Sequence, residues 1–362
     1  MFRGWLLPLV ALASFHADLR AAPEETTSRP IRGITLSTHW SGADWAHDTI
    51  EPTLDRIAST GANWVTIHPY ATIDADGTVV FRPIDPDNPP EHVVRPIREA
   101  HARGLKIMIK PHLAYWGSPF AWRGEIQFGD DEPSWQRFFA SYQRWIVTLA
   151  IVSHDADGFA VGTELGGTLD HEAQWRSIIE AVRDASATPL TYAANWDSYR
   201  KVRFWDALDV IGIQGYFPLD DPERRTYDPV SGDPIDRILD EAEIRRGWGR
   251  LRAELREYSV ELNRPVVFTE LGYSRAFSTA LRPWESRVDG EEARSMQRLC
   301  MRVALETIEA EPTLIGVFLW KWFSEPRALG RDFQLAHPKM IRLLRQVWGE
   351  SSSSMSRSAT GG

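Results

Sequence analysis

The stretch DGFAVGTELGG, residues 157–167, is an apolar strand candidate that ends at a carboxylate, Glu164. Its continuous apolar run is typical of a parallel strand covered on both faces. The small residues before Glu164 are interpreted as room for a substrate to approach the strand end. The pattern recurs in PVVFTELG, residues 265–272, where a second apolar run reaches Glu270. Two strands that both run into Thr-Glu-Leu-Gly predict two carboxylates at matching positions of one sheet.

Further apolar runs of the same kind occur along the chain, and most of them are continuous rather than alternating. Runs of this length bounded by turn residues predict buried parallel strands. The eight predicted strands are IRGITL (31–36), NWVTIH (63–68), LKIMIK (105–110), DGFAVGTE (157–164), PLTYAAN (189–195), DVIGIQ (209–214), PVVFTE (265–270) and LIGVFLW (314–320).

Amphipathic helical patterns separate most of these strands, with room for only a short helix between the fifth and the sixth. Eight βα units without a linker-like break predict an α/β fold with a single (β/α)8 TIM barrel over residues 29–349. An open, doubly wound sheet is the alternative, but no Gly-rich phosphate loop follows any strand. Longer insertions follow the second, third and sixth strands.

Composition limits the classes of partner. The 362 residues carry a net charge of −9, which argues against nucleic acid because backbone binding needs a basic face. The 16 tryptophans either fill the core or stack on flat ligands such as sugars. No His-Glu-x-x-His pattern or other metal-ligand spacing is present, so we expect neither a metal nor another cofactor.

The two ends of the chain differ from the rest. Residues 1–22 combine Arg3 with an apolar stretch too short to span a membrane, which predicts a secretory signal. We therefore expect a secreted or periplasmic protein, a monomer, with no membrane contact after the signal is removed. The Ser-rich residues 350–362 predict a disordered tail.

Polar and aromatic residues follow the strands at the end where barrel enzymes place their active sites. Glu164 and Glu270 end the fourth and seventh strands, which lie across the barrel mouth from each other. Cleavage of a glycosidic bond uses such a pair, one carboxyl protonated and the other ionised. Other residues at the strand ends are predicted to bind sugar hydroxyls, stack on sugar faces or tune the two carboxyls: Trp40, His68, Lys110, His112, Asn195, Trp196, Tyr216, Trp320 and Trp322.

The chain resembles glycoside hydrolase family 113, whose characterised members are mainly β-1,4-mannanases. The resemblance rests on RGITLSTHW, GANWVTIHPY, GLKIMIKPHL, GFAVGTEL, LDVIGIQGYFPL, RPVVFTELGY and GVFLWKW, which together span about residues 31–323. It implies a retaining mechanism with Glu164 as acid/base and Glu270 as nucleophile, Tyr216 beside the nucleophile and Trp320 under the sugar. Asn usually precedes the acid/base in the wider clan and contacts the sugar 2-hydroxyl. Here Thr163 stands in its place.

The predicted function is hydrolysis of β-1,4-mannosidic bonds in mannan or manno-oligosaccharides by double displacement. A clan relative acting on glucan or xylan, a transglycosylase and a sugar-binding barrel without catalysis are the alternatives. The sequence leaves the sugar, the linkage and endo or exo action open. Two inserted segments, PFAWRGEIQF (119–128) and DPERRTYDP (221–229), are either walls of the cleft or covering loops.

Overall fold

The computed structural model describes residues 30–39, 41–230, 232, 235–324 and 333–358, with side chains up to residue 349. Eight parallel strands close into a barrel in the order β1-β11-β10-β9-β8-β7-β5-β2, which confirms the predicted (β/α)8 fold. The barrel strands are β1 (Ile31–Ser37), β2 (Trp64–Ile67), β5 (Lys106–Ile109), β7 (Gly158–Thr163), β8 (Leu190–Asn195), β9 (Ile211–Gln214), β10 (Val266–Leu271) and β11 (Leu314–Phe323).

Within the described residues, seven α-helices surround the barrel. They are α1 (Ile50–Ala58), α2 (Glu91–His101), α3 (Glu132–Val152), α4 (Glu172–Ala185), α5 (Glu241–Leu262), α6 (Arg294–Glu309) and α7 (Pro338–Ser358). Between β8 and β9 the described chain forms two 3-10 turns, Tyr199–Lys201 and Trp205–Ala207, in place of an α-helix. The short helix for which the sequence leaves room between the fifth and sixth strands is thus replaced by two 3-10 turns.

A small second sheet stands above the barrel mouth. The strands β3 (Tyr70–Ile73), β4 (Val79–Val80) and β6 (His112–Ala114) pair in the order β4-β3-β6, with Tyr70 opposite His112. β3 and β6 continue the barrel strands β2 and β5 after Pro69 and Pro111, where a ring replaces the backbone N–H that a ladder needs. This sheet extends two strand ends beyond the barrel and raises one side of the mouth.

The opposite end of the barrel is closed by side chains. Met108, Val267 and Phe318 are buried together across its interior, so the barrel is packed and not open. Outside it, Arg32 of β1 donates to both carboxylate oxygens of Glu309 at 2.8 and 2.9 Å and to the backbone oxygen of Trp348 at 2.7 Å. These contacts join β1 to α6 and α7. They stabilise the fold at this end of the barrel, while the candidate functional residues lie at the other end.

Three predictions concern residues at the margins of the described chain. Residues 1–22, with the predicted secretory signal, and Trp40 lie outside it. The predicted tail from residue 350 overlaps the end of α7, whose backbone is described to Ser358 and whose side chains are described only to residue 349. The tail and the signal stay predictions. No helix within the described part is long and apolar enough to cross a membrane.

Candidate active site

A cavity of about 700 Å³ opens at the carboxyl ends of the barrel strands. Glu164 and Glu270 both line it, so the two strand ends that the sequence singled out meet at one site. Aromatic side chains supply much of the remaining wall, and most of them come from segments that connect strands to helices. They are Tyr70, Tyr115, Trp116, Trp122, Trp196, Tyr216, Trp284, Trp320 and Phe333.

Glu270 is held by several donors. It is 4% exposed and lies at the end of β10, where the ammonium of Lys110 contacts its Oε1. Tyr216 donates its hydroxyl to Oε2 at 2.8 Å, and Nε2 of His112 lies 3.4 Å from Oε1. Lys110 also donates to the backbone oxygen of Thr269 at 3.1 Å, which fixes the ammonium beneath the carboxylate.

These contacts set the charge of Glu270. Burial alone would raise the pKa of Glu270, but the Lys110 charge and the His112 contact hold it well below its usual value. Burial lowers the pKa of Lys110 while the carboxylate raises it, and because the two charges touch we take both as ionised. Burial and the charge of Arg123 lower the pKa of His112 to about 3, so its imidazole is neutral. Glu270 is therefore a carboxylate.

Glu164 sits in a different environment. Burial raises its pKa, the Arg123 charge opposes the rise, and the negative charge of Glu270 adds to it. Its backbone is left-handed, with φ of 56°, a conformation that costs an L-residue energy and clusters at functional sites. The Glu164 N–H donates to Ala193 at 2.9 Å and the next N–H donates to the Tyr192 hydroxyl at 2.9 Å. These bonds hold the strained turn.

The small residues around Glu164 have another purpose than the sequence suggested. A Cβ on Gly162 would lie 2.7 Å from the Tyr192 ring and 2.8 Å from the Trp175 ring, on the outer side of the barrel. A Cβ on Gly167 would lie 2.4 Å from the backbone oxygen of Ile126. The interpretation that the small residue before Glu164, Gly162, admits substrate was therefore wrong. Gly162 admits the packing of the helix layer, and Gly167 admits the inserted segment that precedes α3.

That inserted segment brings a residue that the sequence analysis missed. Arg123 begins a short 3-10 turn, Arg123–Glu125, and is 8% exposed. Its Nη1 lies 3.7 Å from Oε2 of Glu164, and its Nε is buried without a hydrogen-bond partner in the described chain. Residues 119–128 thus form a wall of the cavity. A lone arginine in an insertion carries no pattern that identifies it, because only the folded turn sets its distance to Glu164.

The structure divides the other predicted site residues into two groups. Those that line the cavity are His112, Asn195, Trp196, Tyr216 and Trp320. Those that are buried and off its wall are His68, Lys110, Thr163 and Trp322. Binding of sugar hydroxyls or faces was among the roles predicted for the second group, whose members lie behind the lining residues; Lys110 contacts the carboxylate of Glu270 from there.

Each buried residue has a local reason for its position. His68 stacks on His112 at 4.8 Å between ring centroids, with its Nε2 3.2 Å from the Ser37 hydroxyl, and so backs the cavity wall. The side chain of Lys110 extends to Glu270. Thr163 precedes the left-handed turn and is 1% exposed, so the usual Asn position does not reach the cavity here.

Trp322 lies in the core because β11 contains a bulge. Ile34 pairs with Leu319 and Leu36 with Trp322, so β11 uses one residue more than β1 over this interval. A bulge of this kind re-aims the side chains that follow it. Trp320 and Lys321 both line the cavity as a result, while Trp322 is 1% exposed within the core.

Comparison with known proteins connects this site to a family. The model of Glycoside Hydrolase Family 113 matches residues 34–331. The chain is similar to the GH113 β-mannanase AaManA from Alicyclobacillus acidocaldarius in complex with ManMIm, with 25% identity, a TM-score of 0.73, and 90% of this chain and 98% of that chain covered. It also resembles a GH113 β-1,4-mannanase at 22% identity and a TM-score of 0.73, covering 89% and 99% of the two chains.

A more distant likeness agrees in fold. A glycoside hydrolase family 5 mannosidase from Rhizomucor miehei in complex with mannosyl-fructose matches at 11% identity and a TM-score of 0.57, with 90% of this chain and 93% of that chain covered. No curated protein matches the chain significantly. The family match covers most of the chain and includes both glutamates. The substrates of glycoside hydrolases are carbohydrates. The chain therefore belongs to glycoside hydrolase family 113 and is a glycoside hydrolase.

Proposed function

We propose that this glycoside hydrolase cleaves β-1,4-mannosidic bonds in mannan or manno-oligosaccharides with retention of configuration. The observation that carries the proposal is the opposite protonation preference of two carboxyls in one cavity. Glu270 is held ionised by Lys110, whereas burial favours the protonated form of Glu164. Environments that push two pKa values apart assign the nucleophile and the acid. The choice of mannan is supported by the β-mannanases to which the chain is similar.

Two displacements follow from these protonation states. The Glu270 carboxylate attacks the anomeric carbon, the glycosidic C–O bond breaks, and the leaving oxygen takes the proton of Glu164. Glu164, now a carboxylate, removes a proton from water, whose oxygen attacks the same carbon and releases Glu270. Burial and the Glu270 charge raise the pKa of Tyr216 well above its usual value, so its hydroxyl stays a donor to Glu270.

A panel of polysaccharides tests the substrate. We expect release of reducing ends from linear mannan and glucomannan and little from xylan, cellulose or mixed-linkage glucan. Proton NMR during the first minutes on a manno-oligosaccharide should show the β-anomer before mutarotation. Cleavage of another polymer would replace the substrate and keep the mechanism, whereas first appearance of the α-anomer would contradict retention.

The ion pair beneath the nucleophile predicts a pH effect. Glu270 has a depressed pKa, so the activity that depends on its ionised form is present above that pKa and lost as the pH falls through it. In Lys110→Met the pKa of Glu270 rises, because an adjacent opposite charge accounts for about 1–3 pH units. We therefore expect the acidic limb of the kcat/KM profile to move up by about 1–3 pH units.

Lys106→Met is the matched control for this measurement. Lys106 begins β5, the strand that Lys110 directly follows. It is exposed and has its ammonium 5.5 Å from the centroid of the Trp64 ring, on the far side from the cavity mouth. The kcat/KM profile of Lys106→Met should have its acidic limb at the same pH as that of the wild type. An acidic limb that stays in place in Lys110→Met would show that Lys110 does not set the charge of Glu270.

A further inference from the structure

A second cavity, of about 300 Å³, lies beside the active-site cavity. Trp196 and Trp284 line both, and their rings stack with centroids 5.3 Å apart and planes 16° from parallel. Trp284 is 46% exposed, so part of its ring is open to a ligand. The stacked pair is therefore a shared aromatic wall between the active-site cavity and the second cavity.

The rest of the second cavity is built by two connections, β9–α5 and β10–α6. The first of them includes residues 221–229, which are thus a wall and not a covering loop. Arg225 donates to both carboxylate oxygens of Asp220 at 2.6 and 2.8 Å. Arg282 lies 3.4 Å from Asp236 and 3.2 Å from Glu285. The described charged residues on the wall are Asp220, Arg225, Asp236, Arg237, Arg282 and Glu285.

The charges on this wall select the chemistry of its occupant. The three arginines among the described lining residues are balanced by three carboxylates. An anionic ligand would meet those carboxylates, and a cationic one would meet the arginines. A neutral ring with hydroxyls at its edge and C–H groups on its face fits both features, because ion-paired side chains exchange hydrogen bonds with hydroxyls while the tryptophan faces pack against C–H groups.

We propose that the second cavity is a distal subsite, which binds a neutral sugar residue of a chain whose scissile bond lies between Glu164 and Glu270. The proposal rests on the proposed function and adds a preference for longer chains. The subsite is built by the β9–α5 and β10–α6 connections and contains neither Glu164 nor Glu270, so it selects substrate length without touching the reacting atoms. A chain that reaches it gains contacts inside the second cavity that a disaccharide at the scissile bond does not make.

Filling the cavity tests this subsite. Thr226 lines it, is exposed and does not line the active-site cavity, so Thr226→Trp should occupy the space and leave the barrel unchanged. We expect its kcat/KM on mannohexaose to fall about 10-fold or more, while that on an aryl β-mannoside changes less than about 2-fold. Val230→Trp is the matched control, since Val230 is 94% exposed on the same connection and lines neither cavity.

Binding without turnover completes the test. Calorimetry measures the affinities of mannobiose and mannohexaose for Glu270→Ala and for the double variant Glu270→Ala, Thr226→Trp. A preference for mannohexaose that Thr226→Trp removes supports the subsite. Equal affinity for the two lengths, or an equal loss on short and long substrates, overturns it. The polysaccharide panel decides the proposed function separately, because cleavage of another polymer moves the same length comparison to oligosaccharides of that polymer.

Discussion

Glu270→Ala is expected to lower kcat on manno-oligosaccharides on the order of 10⁵-fold, because the variant loses the carboxylate that forms the covalent intermediate. The Lys110 ammonium, Tyr216 hydroxyl and His112 imidazole converge on this one carboxylate, and each of them loses its acceptor in the variant. Activity is measured on an aryl β-mannoside and on mannohexaose. Glu261→Ala, at an exposed position of α5, is the control.

Azide distinguishes loss of the nucleophile from loss of the fold. In Glu270→Ala the anion can enter the vacated space, attack the anomeric carbon and expel the aglycone, and the product is the α-glycosyl azide. Its configuration is inverted because only one displacement has occurred. Circular dichroism and thermal unfolding establish that the variant is folded, since the loss leaves a buried ammonium without its carboxylate. A folded variant that keeps wild-type kcat would refute the assignment of Glu270.

The barrel could be predicted from the sequence because each of its strands is marked by a short apolar run. The eight barrel strands lie within the predicted runs to within a few residues, since a strand covered on both faces is continuously apolar. The small sheet β4-β3-β6 was missed, because strands of two to four residues outside the barrel leave no such run. The long β10–α6 connection was missed as well, although it carries Trp284.

The candidate site could be predicted only where strand ends determine it. Glu164 and Glu270 meet because the barrel brings the carboxyl ends of its strands together. Residues that depend on a bulge or an insertion could not be placed from the sequence. Trp322 is core because β11 gains a residue, and Arg123 reaches Glu164 because Gly167 lets an inserted turn approach. Neither the bulge nor the inserted turn produces a repeating pattern of apolar residues in the sequence.

Glu164→Ala is expected to lower kcat/KM on mannohexaose by about 10²–10⁴-fold, the range that general acid–base catalysis contributes. The raised pKa of Glu164 means that its protonated form is present below that pKa and is lost as the pH rises through it, so the wild type has an alkaline limb. That limb should disappear in the variant. Glu172→Ala, at the start of α4, is the control, since Glu172 pairs with Arg176 away from the cavity.

The leaving group decides whether Glu164 acts as the acid. The dinitrophenolate of a dinitrophenyl β-mannoside is a weak base and leaves without protonation. Cleavage of its glycosidic bond by Glu164→Ala should therefore stay fast, and a burst of phenolate should precede slow turnover. Azide should then react with the glycosyl-enzyme and give the β-glycosyl azide, retained because two displacements have occurred, opposite to the product of Glu270→Ala. The same anomer from both variants, or an equal loss on dinitrophenyl mannoside and mannohexaose, would contradict the two roles, because each carboxyl acts on a different face of the sugar.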